Sequence, residues 1–401
     1  MKIVGVITEY NPFHNGHLYH LEQAKFCTGA DYAIAVMSGN FVQRGEPAII
    51  GKNQRTMMAL KAGADIVVEL PLMYALSSAG YFAHGAVSLL HRLGVVDAIA
   101  FGAEAPMEQL QAASALLREE SPYFKAALVS GLERGLSYPD ARSRAFNNIE
   151  GAPDILHGPN NILGVEYINS LARLGSDITA VAIERTVPHI GGRDGSFASA
   201  SEIRKRLLAG NTKEAVSYMP AFSANILASA GALHRLANLS DAFHYRVRSS
   251  TPQQLSEIAE ISEGLENRII SATREHISLN DIITHVKTKR YTLSKIKRCF
   301  LNIILNIRKE TFARAQQYGP PYARVLGFRR SSQHLLGHIQ AHTSIPLITN
   351  LKNISGLDAY TQQILEAELT STDIYALSAD KCHLARYTGR EAEYKTPVIL
   401  E

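Results

Sequence analysis

Tryptophan is absent from this 401-residue chain, and cysteine occurs three times. Cys27, Cys299 and Cys382 are isolated and odd in number, which excludes a disulfide framework and a structural zinc site. No apolar run reaches the roughly 20 residues that a membrane helix needs. The opening stretch, MKIVGVITEYNPF, turns polar after Ile7 too soon for a signal peptide, and no small-residue cleavage site follows. These absences point to the cytoplasm and away from membranes. Charged residues make up 19% of the chain and apolar ones 46%, the proportions of a globular fold. At this length two domains are expected.

Acidic residues are scarce in one region. Residues 1–210 carry 18 Lys+Arg against 20 Asp+Glu, a balance of −2, whereas residues 211–401 carry 23 against 17, a balance of +6. Within residues 287–330 there are 12 basic residues and one acid, Glu310. Such a block either serves a polyanion or forms a solvated helix face.

Short apolar runs alternate with helical patterns through the first half. Strands are expected at residues 2–7, 31–37, 65–70, 97–101 and 177–183. Helices are expected at 17–26, 54–62, 81–93, from 107 onward, and at 200–208, with Gly29 stopping the first. Strands of five to seven residues separated by helices imply right-handed crossovers and a parallel α/β sheet covered on both faces. Ligands of such sheets bind beyond the carboxyl ends of the strands, so informative residues should follow Ile7, Met37, Phe101 and Ile183. From about residue 211 the patterns are mostly helical, as at 252–266 and 293–318, with short strands possible at 322–327 and 345–349. This reading divides the chain into a Rossmann-like domain, 1–210, and a mainly helical one, 211–401.

The first strand is followed by Thr8-Glu9-Tyr10-Asn11-Pro12-Phe13-His14-Asn15-Gly16-His17. Pro12 keeps this loop out of a helix, and Gly16 removes a Cβ where something must come close. His14 and His17, three apart at the entry to a helix, can both face its positive end, which attracts phosphate. Two imidazoles there can donate hydrogen bonds to phosphate oxygens as charge builds during displacement. The pattern suits nucleotidyl transfer, in which pyrophosphate leaves an α-phosphate. A metal pair would need further ligands, and Glu9 and His20 are the only local candidates, so no metal site is assigned. A second phosphate contact is expected at Ser199-Ala200-Ser201-Glu202-Ile203-Arg204, where Ser199 or Ser201 caps a helix and Arg204 offers a planar fork of donors.

The two elements together resemble the nucleotidyltransferase superfamily with the H-x-G-H signature. Four longer motifs narrow the match: EYNPFHNGH at residues 9–17, MSGNFVQRGEPA at 37–48, PNNILGVEY at 159–167 and YTLSKIKR at 291–298. They span both halves and resemble the bacterial tRNA(Met) cytidine acetate ligase family. The resemblance implies that acetate is activated with ATP to acetyl-adenylate. The acetyl group is then passed to N4 of the wobble cytidine in elongator tRNA(Met). It assigns ATP binding to Ile7, Thr8, Glu9, Tyr10, Asn11, Pro12, Phe13, His14, Asn15, Gly16, His17, Leu18, Tyr19 and His20. It adds Gly102, Arg185 and Asn160, with Asn161 an adjacent alternative.

On this reading His14 and His17 serve the α-phosphate, and Ser201 and Arg204 hold the departing pyrophosphate. Mg²⁺ is expected with the ATP, held mainly by phosphates. Arg185 clamps a phosphate or contacts the base. The turn at residues 38–41 is expected to line the acetate pocket, and Arg44 can serve acetate, phosphate or RNA. Lys289, Arg290, Lys295, Lys297 and Arg298, with Lys287 beside them, are expected to hold tRNA phosphates. The rival reading is a small-molecule adenylyltransferase without an RNA substrate.

Overall fold

The structure, a computed structural model, describes residues 1–184, 197–354, 356–380, 389–394 and 397–401. Its strands are β1 (Ile3–Thr8), β2 (Tyr32–Ser38), β3 (Phe41–Val42), β4 (Glu46–Pro47), β5 (Ile66–Leu70), β6 (Ala98–Ala103), β7 (Thr179–Glu184), β8 (Ala323–Arg329), β9 (Leu347–Ile348) and β10 (Val398–Leu400). The main sheet runs β10-β8-β5-β2-β1-β6-β7, with β9 also paired to β8. β5, β2, β1, β6 and β7 are parallel to one another, as the alternating pattern predicts. Both faces are covered. Ile34, Val36, Ile66 and Val68 point into one core, while Ala33, Ala35, Met37 and Val67 point into the other. This is why these strands read as continuous apolar runs rather than alternating ones.

The chain leaves β1 toward β2 and β5 on one side, and returns to β6 and β7 on the other. The strand order therefore reverses between β1 and β6, which opens a crevice beyond their carboxyl ends. The helix Asn15–Thr28 starts at that crevice and stops at Gly29, whose φ of 63° needs no Cβ.

The second half departs from expectation in two ways. β8, β9 and β10 return to the sheet, and β8 pairs antiparallel with β5. A boundary at residue 210 therefore does not separate the sheet from a helical unit; the helical segment is an excursion from which the chain comes back. The two long helices are also broken. Residues 252–266 split into helices Pro252–Ser256 and Leu265–Glu275, with Glu260, Glu263 and Gly264 at positive φ between them. Residues 293–318 split into Leu293–Leu305 and Lys309–Tyr318, with Asn306 at φ 53°. The two breaks pair with each other, since Ala259 N–H donates to Ile307 O at 2.9 Å. Each break thus satisfies backbone groups exposed by the other.

A buried charge cluster ties the returning chain to the sheet. Lys52 Nζ lies 2.5 Å from Glu69 and 2.9 Å from Glu393. Arg324 reaches the same two carboxylates at 3.0 and 2.6 Å. Glu368, from helix Ala359–Leu377, accepts the Leu72 N–H at 2.7 Å.

Candidate nucleotide-binding site

A cavity of about 470 Å³ occupies the crevice beyond β1 and β6. Of the residues expected to bind ATP, Ile7, Thr8, Glu9, Tyr10, Asn11, His14, Gly16, His17, Tyr19, His20, Gly102 and Asn160 line it, together with Ser201 and Arg204. Pro12, Phe13, Asn15 and Leu18 do not. Phe13 is buried behind the loop, its ring 4.7 Å from that of Tyr10 and 6.1 Å from that of Phe222, so it braces the loop from below. Asn15 N–H donates to Tyr218 O at 3.0 Å and anchors the helix start to the second half of the chain. Arg185 lies outside the described residues.

The histidines are organised by the helix they begin. Their rings stack with centroids 3.6 Å apart. The backbone N–H of His14 donates to Nδ1 of His17 at 3.3 Å. A neutral imidazole that accepts on one nitrogen carries its proton on the other, so Nε2 of His17 is a donor. A Cβ on Gly16 would sit 3.0 Å from Cε1 of His14. The close approach that this glycine allows is that of the His14 ring.

Arg55 fixes the loop from inside the protein. Fully buried, it donates from Nη1 to the carbonyls of Glu9 at 2.7 Å and Ser38 at 2.9 Å, and from Nη2 to Gly39 O. One guanidinium thereby joins the ends of β1 and β2. Burial lowers its pKa to about 10. The sequence gives no hint of this role, because the acceptors are backbone carbonyls of distant residues. Because Arg55 holds the turn inward, Ser38, Asn40 and Phe41 are buried and do not line the cavity, contrary to the expected acetate pocket.

Ser199 caps helix Ala200–Leu208, accepting the Glu202 N–H at 3.2 Å. Ser201 is left to the first turn, where its hydroxyl accepts from Arg44 Nη1 and Arg204 Nη2, both at 3.2 Å. Arg204 Nη1 donates to Asn11 O at 2.8 Å, which locks this helix to the histidine loop. Arg44 lines the cavity from the short hairpin of β3 and β4. Asn161 turns away: its Oδ1 accepts from Glu104 N and Ala105 N at 2.9 and 3.0 Å. Asn160 is the one on the cavity wall, donating to Glu104 Oε1 at 2.6 Å.

The basic block is divided. Lys287, Lys289 and Arg290 are exposed, Arg290 paired with Glu263 at 2.6 Å. Lys295 is half-buried, with its ammonium 5.1 Å from the centre of the Tyr291 ring. Lys297 pairs with Glu46. Arg298 is buried and bonded to both oxygens of Glu260 at 3.0 and 2.9 Å. It is therefore an internal strut, not a phosphate contact. A Cβ on Gly45 would come within 2.5 Å of the Arg298 backbone nitrogen, so the hairpin rests directly on helix Leu293–Leu305. Among the described residues, the histidine and carboxylate side chains spaced to hold a metal are Glu275, His276 and His285, none of which lines the cavity.

A parallel sheet with a stacked H-x-G-H pair at its switch point and a Ser–Arg helix locked beside it defines a nucleotidyltransferase. The chain matches the HIGH Nucleotidyl Transferase family over residues 1–389. It is 41% identical over 395 residues to the tRNA(Met) cytidine acetate ligase of Thermoanaerobacter sp. (strain X514), covering 96% of this chain and 97% of that one. It is 40% identical over 394 residues to the protein of the same name from Acetivibrio thermocellus, covering 94% and 95%. A crystal structure of Thermotoga maritima TmcAL bound with alpha-thio ATP superposes with a TM-score of 0.90 at 34% identity, covering all of both chains. The chain belongs to the tRNA(Met) cytidine acetate ligase family.

Proposed function

We propose that this protein activates acetate with ATP to acetyl-adenylate, releasing pyrophosphate, and transfers the acetyl group to N4 of the wobble cytidine of elongator tRNA(Met). The product is N4-acetylcytidine. The observation that carries the reading is the junction of the histidine loop and the Ser–Arg helix through the 2.8 Å bond from Arg204 to Asn11, on one cavity wall.

Acetate and the α-phosphate are both anions, so the site must offset their repulsion while aligning them. His17 Nε2 and the start of helix Asn15–Thr28 offer donors to the α-phosphate and to the charge that grows there. Ser201 and Arg204 hold the pyrophosphate as it leaves, and Arg44 adds a second guanidinium. His14, stacked on His17, sets its partner's plane and shares the phosphate. Gly102, Asn160 and the β6 end receive the nucleoside.

The donor set suits Mg²⁺ carried on phosphates. The cavity's carboxylates, Glu9 and Glu184, sit at the ends of different strands, and Arg44 and Arg204 line it as well. When bound, the ion would neutralise β- and γ-phosphate charge.

The two halves of the chain then divide the labour. Residues 1–210 carry the ATP site, and the helical excursion carries an RNA face of Lys289, Arg290 and Lys295, with Lys297 at its inner edge. Among the described residues no helix is long and apolar enough to cross a membrane. The reaction belongs in the cytoplasm, where tRNA and ATP are found.

The test is pyrophosphate exchange into ATP, with and without acetate, followed by labelled acetate with elongator tRNA(Met). Exchange that needs acetate, and label recovered as N4-acetylcytidine, support the reading. AMP retained in a small-molecule product, with no label in tRNA, would favour an adenylyltransferase instead.

A further inference from the structure

Glu9 is a carboxylate in a cavity built for anions. It follows β1 directly, and its backbone carbonyl accepts from Arg55 at 2.7 Å. Its Oε1 accepts the Gln43 N–H at 2.8 Å, the one hydrogen bond to this side chain among the described residues. The residue is half-buried and lines the cavity with His14, His17, Tyr167 and Arg204. One carboxylate oxygen is therefore held by the backbone, and among the described residues no hydrogen bond reaches the other.

For the first half-reaction such a group is a hindrance, since a fixed negative charge opposes both the triphosphate and acetate. The second half-reaction needs what Glu9 offers. The cytosine N4 amine is conjugated with its ring and a poor nucleophile. Attack becomes productive only when a base takes a proton as the N–C bond forms. Resting on the reaction assigned above, we infer that Glu9 is the general base of acetyl transfer and the group that recognises the cytosine amine. N4 bonds to the acetyl carbonyl carbon, the carbon–oxygen bond to AMP breaks, and AMP leaves as a phosphate monoester. The N4 proton passes to Oε2 of Glu9 and then to solvent. An amine donates to a carboxylate, whereas the O4 of a uracil would face it lone pair to lone pair, so the same contact selects cytidine.

The surroundings suit this role. Burial raises the Glu9 pKa, which strengthens it as a base, while the Gln43 N–H and the charges of Arg204, Arg44 and Arg55 oppose that rise. These groups come from the β3–β4 hairpin and from helices Lys52–Lys61 and Ala200–Leu208, and Tyr167 faces Glu9 from helix Pro159–Leu174.

The experiment separates the half-reactions in Glu9→Gln, which keeps the shape and an acceptor for Gln43. Because Glu9 lines the nucleotide cavity, acetate-dependent pyrophosphate exchange is measured beside transfer, and any loss of exchange should be at least about tenfold smaller than the loss of transfer. Single-turnover transfer from preformed acetyl-adenylate to tRNA(Met) should fall about 10²–10³-fold. Equal loss of both steps would make Glu9 a nucleotide-binding group, and retention of both would make it idle; either overturns the inference. If Glu9→Gln does not fold, the wild type decides. Transfer should decline on the acid side through one ionisation while exchange keeps a different profile, and transfer insensitive to pH would overturn it. Wild-type exchange without need of acetate is a separate result that removes the reaction assignment itself.

Discussion

Glu46 and Arg204 meet at 3.6 Å beside the cavity, and the other oxygen of Glu46 takes the ammonium of Lys297. One carboxylate thus touches both the arginine assigned to pyrophosphate and a lysine of the basic helix. The hairpin that carries it also carries Arg44, so the cavity wall and the basic helix share a single small element.

Removing that link should be felt on the nucleotide side. Glu46→Gln should raise the KM for ATP about three- to tenfold with a smaller change in kcat, because a partly exposed tether of this kind contributes ~1 kcal/mol. Initial-rate exchange assays measure it; an unchanged KM would mean that Arg204 is held by Asn11 and Ser201 alone.

Two substitutions in the histidine loop and its partner helix should act on the first half-reaction. His17→Ala and Arg204→Ala should each lower acetate-dependent pyrophosphate exchange ~10²-fold or more, the usual effect of losing a donor to developing charge. Affinity for tRNA, measured by filter binding, should stay near wild type in both.

The basic residues should separate into two classes. Charge reversal at Lys289 or Arg290 should weaken tRNA binding and reduce the slope of log K against log salt by about 1 each. Arg298→Glu should instead destabilise the fold by ~3–5 kcal/mol, since it leaves Glu260 buried beside a like charge. Thermal unfolding distinguishes the two outcomes directly.

The buried cluster gives a pH signature. Burial and the nearby Glu69 raise the Glu368 pKa to about 8, while Lys52 and Arg324 overcome burial to hold Glu393 at about 2. A carboxyl whose pKa is raised on folding stabilises fully below its unfolded value near 4.5, and loses that contribution as pH climbs to about 8. Glu393 works the other way and loses its contribution only as pH falls below about 4.5. Between pH 5 and 8 the melting temperature of wild type should therefore fall more steeply than that of Glu368→Gln. Parallel curves would show that Glu368 is ionised throughout.

What the sequence disclosed and what it hid differ by range along the chain. The strand, histidine loop and helix are contiguous, so the order of apolar run, Pro12, Gly16 and paired histidines was legible. Helix Ala200–Leu208 was legible for the same reason, with Ser199 marking its start. The return of β8 and β10 to the sheet was not, because β8 pairs with β5 some 250 residues earlier, β10 pairs in turn with β8, and local pattern does not name a partner. Arg298 looked like surface because a run of one sign usually is; its partner Glu260 lies 38 positions earlier in the chain, at a helix break the periodicity concealed. Arg55 was invisible for a further reason: its acceptors are main-chain carbonyls, which every residue has.

The central claim is that the wall formed by His14, His17, Ser201 and Arg204 grips the triphosphate. A crystal structure of this protein with a slowly hydrolysed ATP analogue tests it most directly. The account predicts the α-phosphate within hydrogen-bonding distance of His17 Nε2 and the β- and γ-phosphates on Ser201 and Arg204. A nucleotide bound elsewhere, with that wall making no phosphate contact, would contradict it.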